Sequence, residues 1–344
     1  QLGKSCLHNP LKPHLVIDSV PFEHGMALTY HAPARGLFHA TMLDQLGEWL
    51  AREIAKGPRP HLLVGHKLGI EGIAVARASN LLGVPFAISI QGDSDTKILD
   101  ARPDLARRLG RIFHEAKVVF PFSPWALKAV EGKLGKRTGE VVLLPCPTDL
   151  DQPLEPRPGG RGLITTFHLK NHHRKNLRGL VQALDILQRS GEAPELQVVG
   201  GGSEADLAAC RAIAAGVSSL RFAGRMDRTG VLAAFRQARG FVMPSLRESF
   251  GLVFIEALFA GLPIAYPAGT AVDGFLDGLP FALRVNARDP RSIAKAMTTL
   301  DRDEEPLKAE LAVWLKSDDA LRFGRLRIAD DFAAGLHKAI ARHS

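Results

Sequence analysis

Only three cysteines, two tyrosines and three tryptophans occur among 344 residues, and aromatics make up 6% of the chain. Cys6, Cys146 and Cys210 are odd in number and share no close spacing. That excludes a disulfide framework or a cysteine metal clip, and the three read as reduced, cytosolic thiols. No run of about 18 uncharged apolar residues is present, so no membrane-spanning helix is expected. The histidines form no His-x-x-x-His pair on an expected helix. His172 and His173 are adjacent, which turns their side chains apart, and solvated loop positions are expected for them. Short repeats and low-complexity tracts are missing too. From Gln1 to Pro10 there is neither an initiator Met nor an apolar secretory core, and the chain is expected to be trimmed at its N-terminus.

What the chain does have is basic charge and ample apolar material. Hydrophobic residues make up 46%, enough for the cores of two domains. The formal net charge is +8, shared between both halves and not gathered in a tail, and a basic surface favours anionic partners. The sharpest cluster is Arg107, Arg108 and Arg111 on an expected helix over 103–115, with Lys97 just before it. Spacings of three and four residues put Arg107 or Arg108 beside Arg111 on one face. A solvated helix face and a surface for lipid head groups or an anionic acceptor both fit that pattern.

Short apolar or β-branched runs alternate with helical periodicity, which argues for parallel sheets covered by helices. In the first half the strands are expected near 14–18, 61–65, 85–90, 118–121 and 141–144. In the second half they fall near 163–167, 196–199, 220–223, 241–243, 263–266 and 282–285. Between the halves, Pro153-Leu-Glu-Pro-Arg-Pro-Gly-Gly-Arg-Gly162 breaks both periodicities and reads as a linker and hinge. The expected organisation is an N-terminal Rossmann-like domain over 1–155, a C-terminal one over 160–320, and a helical end over 321–344 that packs back on the first domain. Two doubly wound domains leave a cleft at the carboxyl edges of their strands, where such folds bind ligands.

The most informative segment runs from Phe241 to Pro263. It contains Pro-Ser-x-x-Glu-Ser-Phe-Gly-x-x-x-x-Glu-Ala-x-x-x-Gly-x-Pro, with Glu248 and Glu256 separated by seven residues. A buried strand is expected to end at Met243, a loop to carry Glu248, Ser249 and Phe250, and a helix to begin near Gly251. The N–H groups at such a helix start seat a phosphate or a sugar hydroxyl, and Gly251 lets a ligand approach the backbone. Glu256 lies on an otherwise apolar helix, where a carboxylate is costly to bury unless it is hydrogen-bonded. A ribose diol or sugar hydroxyls satisfy it; a buried structural ion pair is the rival reading.

This segment resembles the signature of the family 4 glycosyltransferases, retaining enzymes of the GT-B fold. The resemblance extends through the second half. Lys175-Asn176 is similar to the family's donor-diphosphate lysine, Val198-Val-Gly-Gly-Gly202 to its strand-glycine turn, and Leu220-Arg-Phe-Ala-Gly-Arg225 to the strand and turn beside the base pocket. It implies that Glu256 binds the donor ribose. Glu248, with the backbone of Ser249, Phe250, Gly251 and Leu252, would hold sugar and phosphate. Lys175 would neutralise the departing diphosphate, and Arg225 would stand near the base. The implied reaction moves a sugar from a nucleotide-diphosphate sugar, UDP- or GDP-linked, to a glycan, lipid-linked or small-molecule acceptor. It needs no metal or other cofactor and proceeds by front-face displacement, the leaving phosphate helping to take the acceptor proton. The protein is then expected in the cytoplasm, in contact with anionic membrane through Arg107, Arg108 and Arg111, and without a nucleic-acid partner.

Several positions depart from the family pattern. Thr166-Phe-His168 stands where an arginine usually precedes the lysine, and His168, Lys170 and Arg174 are the candidates to replace it, His168 first. Gln91, in Ile88-Ser-Ile-Gln-Gly-Asp-Ser-Asp95, stands where a histidine is usual; it can bind a hydroxyl but cannot act as a base. His66 is expected at the cleft edge. The family's first strand and glycine-rich loop are not recognisable before His14. Asp93-Ser-Asp95 has the letters of a metal motif but is not expected to bind one. Gly200-Gly-Gly-Ser-Glu-Ala205 fits a nicotinamide fingerprint formally, so an oxidoreductase is one alternative. A catalytically weak nucleotide-sugar-binding protein of the same fold is a second, and a GT-B epimerase or phosphorylase is a third.

Overall fold

The computed structural model describes residues 17–23, 25–30 and 39–341. In chain order its elements are β1 (Ile17–Phe22), β2 (Gly25–Tyr30), α1 (His39–Ile54), β3 (Leu63–Gly65), α2 (Glu71–Leu82), β4 (Phe86–Ile90), α3 (Asp93–Ala101), α4 (Ala106–Glu115), β5 (Val118–Pro121), α5 (Pro124–Leu134) and β6 (Glu140–Val141). There follow β7 (Leu163–Thr166), α6 (Leu177–Arg189), β8 (Leu196–Val199), α7 (Glu204–Ile213), β9 (Leu220–Gly224), α8 (Arg228–Gln237), β10 (Gly240–Val242), α9 (Leu252–Phe259), β11 (Ile264–Pro267) and β12 (Ala282–Val285). The chain closes with α10 (Pro290–Arg302), α11 (Glu304–Trp314), α12 (Asp318–Leu321) and α13 (Arg325–Ala341).

Two parallel sheets carry the architecture. The first has the order β3-β4-β5-β6 and the second the order β12-β11-β10-β7-β8-β9. Helices on both faces explain why Phe86–Ile90 is buried at all five positions: a strand covered twice has no side chain facing water. In the second sheet the chain starts in the middle at β7, winds outward to β9, then returns through β10 to β12. That is the doubly wound order, and it reverses between the neighbours β7 and β10. A crevice opens outside the carboxyl ends of the two strands at such a switch point. The fold is the GT-B arrangement of two such units.

Two details differ from the sequence reading. Of the strand expected over 14–18 in the first parallel sheet, the described part, Ile17 and Asp18, belongs to β1, which pairs antiparallel with β2 in a separate hairpin. Its Val20 and Phe22 are largely exposed. Residues 1–16, where the glycine-rich loop was sought, lie outside the described residues. The second difference concerns the hinge. Pro153 to Gly162 is stitched to the C-terminal sheet and helices: Leu154 N donates to Phe259 O at 2.7 Å and Arg161 N to Gln237 O at 2.7 Å. Gly160 N donates to Glu304 Oε1 at 2.8 Å, and the Lys308 ammonium donates to Arg157 O, Ala238 O and Glu304. Burial pushes the Glu304 carboxyl up, but Lys308 and the glycine N–H groups outweigh it and hold it below its ordinary value. Proline and glycine here serve a strap anchored to the second sheet and its helices.

The last helix, α13, lies against the first sheet. Phe332 packs edge-on to Phe120 of β5 with ring centroids 4.9 Å apart, and Ala339 is buried there too. Its start is tied to the inter-sheet segment by Arg325 N donating to Asp151 at 2.7 Å.

Candidate active site at the sheet switch point

The segments after β7 and β10 meet at the switch point because the backbone locks one onto the other. Beyond β7 the chain passes so close to β8 that a Cβ on Gly200 would lie 1.7 Å from Phe167 O, which requires glycine there. Asn176, in the left-handed conformation at φ 61°, caps α6 by accepting from Gly179 N at 3.2 Å. Its amide also donates to Pro244 O at 3.0 Å and to Ala287 O at 2.7 Å. Leu246 N donates to Arg174 O at 2.9 Å. These bonds bring Lys175 against Glu248 across 73 positions of sequence.

Glu248 is only 6% exposed. It pairs with the Lys175 ammonium, and Arg174 stands 3.8 Å away on its other oxygen. Its backbone is held from both sides by one hydroxyl: Thr270 Oγ1 accepts from Glu248 N at 2.8 Å and donates to Glu248 O at 2.7 Å. Two cations around one carboxylate leave a formal surplus of one positive charge, in a setting where a dianionic diphosphate is favoured.

Gly251 follows at φ 76° and begins α9 with no side-chain cap on its N–H groups. Its conformation suits glycine, and an added Cβ would also strike Phe254 at 2.8 Å. The contrast with α7 is informative. There Ser203 and Asp206 form a complete capping box, Asp206 accepting from Ser203 N at 2.9 Å. A pyrophosphate at the Gly200–Gly202 turn would meet that carboxylate. The fingerprint there is a self-capped turn, which counts against a nicotinamide site.

Glu256, one and a half turns into α9, is half-buried on a cavity of about 70 Å³ lined by Leu150, Arg228, Val231, Leu232 and Phe235. Burial pushes its carboxyl above the ordinary value, Arg228 opposing and Asp149 adding to the shift. Ligand pockets usually span about 300–1,000 Å³, so this slot by itself has room only for a fragment of a ligand.

The other expected site residues lie on both parallel sheets and the segments that follow their strands. Phe250 is buried and faces Phe275. Ser249 presents its carbonyl to Trp125, and Leu252 is 40% exposed at the helix start. Arg225 is exposed and packs over Gly201. Of the three candidates to replace the missing arginine, Arg174 is the one beside Glu248. His168 is exposed, its Nδ1 accepting from Lys170 N at 3.3 Å. On the first sheet, His66 sits just past β3 with its ring against Phe122, and Gln91 follows β4 with its N–H on the buried Asp95 at 2.8 Å. Asp95 also accepts from Gly92 N and Leu68 N, so it ties the loops after β3 and β4 together. The sequence reading missed Thr270, Arg228 and Trp125. Only Gly269-Thr270, a glycine-led turn after a strand, left a local trace.

Among the described residues no group of three or more His, Cys, Asp or Glu side chains is arranged to hold a metal ion. No helix there is long and apolar enough to cross a membrane.

Known proteins align with this geometry. Residues 161–303 match the family model described as Glycosyl transferases group 1. The chain is 33% identical over 133 residues to a phosphatidyl-myo-inositol mannosyltransferase of Mycobacterium leprae, covering 38% of this chain and 35% of that relative. It is 28% identical over 295 residues to a 2-deoxystreptamine glucosyltransferase of Streptomyces kanamyceticus, covering 76% and 70%. In three dimensions it is similar to a sucrose-phosphate synthase from Thermosynechococcus elongatus, with a TM-score of 0.65 and 20% identity over 95% of this chain and 87% of that one. The match to the mannosyltransferase thus spans about a third of that relative's length. The fold is thus GT-B, and the second half of the chain is where its similarity to the group 1 glycosyl transferases is concentrated.

Proposed function

We propose that the chain is a hexosyltransferase that moves a sugar from a nucleotide-diphosphate sugar, UDP- or GDP-linked, to a glycan, lipid-linked or small-molecule acceptor with retention. The observation that carries this reading is the cluster of Lys175, Arg174 and Glu248 beside the uncapped start of α9. In it the diphosphate takes the α9 N–H groups and the surplus positive charge, which grows in value as the leaving group gains charge. Glu256 accepts from the ribose hydroxyls, with Leu150 and Phe235 as apolar walls of the same slot. Glu248 faces the sugar. No side chain is assigned as nucleophile or base; the leaving phosphate oxygen helps take the acceptor proton, and the protein supplies position and field.

A thermal-shift panel of UDP, GDP and their sugars tests the reading. At about 100 times its dissociation constant a true ligand stabilises by roughly 2.7 kcal/mol. One nucleotide series is expected to raise Tm clearly while NAD and NADP leave it unmoved. A shift with the dinucleotides alone would return the oxidoreductase alternative. A binding protein without turnover is separated by product formation: it shows the shift and no transfer.

The acceptor side of the proposal places the enzyme in the cytoplasm, touching anionic membrane through α4. The structure narrows the basic face. Arg108 is neutralised by Asp44, whereas Arg107 and Arg111 make no ion pair among the described residues. Arg111 lines a groove of about 450 Å³ with Asp44, Glu48, Arg77 and Glu115. Near a membrane surface each basic residue contributes about 1 kcal/mol. Arg107→Glu with Arg111→Glu is therefore expected to weaken sedimentation with phosphatidylserine vesicles at least tenfold. Binding indifferent to both changes and to anionic lipid would remove the membrane from the account.

A further inference from the structure

The Glu248 loop touches the first domain at two contacts, a shared indole donor and an ion pair. Trp125, on α5, donates its indole N–H to Ala271 O at 2.7 Å and to Ser249 O at 3.2 Å. Both acceptors flank groups that hold Glu248. Ser249 is its neighbour in sequence, and Ala271 follows Thr270, whose hydroxyl bonds the Glu248 backbone on both sides. Ala271 is fully buried and holds φ 61°, a left-handed conformation that an alanine rarely adopts. Strain of this kind persists only where its surroundings impose it, and it collects at functional sites. Here it coincides with the carbonyl that meets the other domain. A second bridge lies alongside: Arg247, the residue before Glu248, pairs with Asp93 at the start of α3 at 2.8 Å. Three consecutive residues, Arg247 to Ser249, are thus gripped from both domains.

Resting on the transferase reading above, we infer that Trp125 is a positioning residue: its indole N–H, arriving from the first domain, fixes the Ser249 and Ala271 carbonyls and so aims Glu248 when the two domains meet. Sugar transfer then depends on domain contact through this donor and the Arg247–Asp93 bridge beside it. Nucleotide binding does not, because Lys175, the α9 start and Glu256 all belong to the second domain.

Trp125→Phe keeps an aromatic ring and removes the donor. In the full chain, kcat for transfer is expected to fall about tenfold or more, since small displacements of a catalytic loop are costly. The Kd of UDP or GDP is expected to stay within about twofold of wild type by calorimetry. Solution scattering of the unliganded protein is expected to give a larger radius of gyration for the variant. If Trp125→Phe loses its far-ultraviolet circular dichroism, Arg247→Met breaks the neighbouring bridge without touching the ring and decides the same question. An unchanged kcat with an unchanged radius overturns the inference. So does a kcat loss matched by an equal loss of nucleotide affinity, which marks a merely structural tryptophan. If wild type makes no product from any donor, the transferase reading fails by itself and the scattering comparison alone judges the latch.

Discussion

Glu256→Gln is expected to cost the protein most of its nucleotide affinity while making the unliganded fold more stable. Both halves follow from one carboxylate on an apolar helix. Burial has raised its proton affinity, so in the folded protein the ionised form is held at a disadvantage that the unfolded chain does not share. Stability is therefore gained as pH falls through the folded value toward the ordinary one, and at neutral pH the glutamate is a liability to the empty protein. Glutamine removes that liability and should raise Tm. The ribose hydroxyls, however, lose a charged acceptor, and hydrogen bonds to charged groups contribute about 1.5–3 kcal/mol. Calorimetry should find the Kd of the preferred nucleotide weakened by roughly 10- to 100-fold. In the wild type, affinity should fall as pH drops toward the carboxyl's raised value, at a higher pH than an unperturbed glutamate would give, and Glu256→Gln should flatten that dependence. A variant of lowered Tm and unchanged affinity would recast Glu256 as a structural partner of Arg228.

Glu248→Gln should do the reverse. Turnover is expected to fall by about 10²–10³, the usual consequence of deleting a preorganised charge at a reacting centre. Nucleotide diphosphate affinity should hold or rise, because Lys175 and Arg174 lose the carboxylate that offsets them. The cost appears in stability, since leaving a buried cation without its partner destabilises by about 3–5 kcal/mol at full burial, and Arg174 is exposed enough to soften it. Michaelis parameters with matched nucleotide titrations check this. A chain whose transfer survives Glu248→Gln does not use that carboxylate at the sugar. On the proposed reading the two variants together divide the site: one acid is expected to govern whether the donor stays, the other whether it reacts.

Much of this was legible in the sequence because it is local. The short apolar runs between helical rhythms gave most strands of both parallel sheets within a residue or two, while the strand expected over 141–144 is found at Glu140–Val141. A glycine before an apolar helix announced α9, and Glu256 stood out because a carboxylate among Leu252, Val253, Phe254 and Ile255 needs a reason. The parts that were not legible depend on pairs far apart in the chain. Trp125 meets Ser249 and Ala271 across 124 and 146 positions, and nothing in Ser123-Pro124-Trp125 distinguishes it from a core aromatic. Thr270 grips Glu248 from 22 positions away. Composition also misled at 153–162. Prolines and glycines signal a break in regular structure, but whether the break bends freely depends on what binds it, and Glu304 and Lys308 lie about 150 residues downstream. The first hairpin shows the same limit. Alternating residues announce a strand without naming its partner, and β1 found β2 instead of the sheet.

The most direct test is a crystal structure of the protein grown with the nucleotide-diphosphate sugar that gives the largest thermal shift. The diphosphate should lie at the start of α9 within hydrogen-bonding reach of Lys175, with Glu256 on the ribose and Glu248 facing the sugar. Density for the ligand at the Gly200–Gly202 turn, or anywhere that leaves the Lys175–Glu248 pair untouched, would contradict the account.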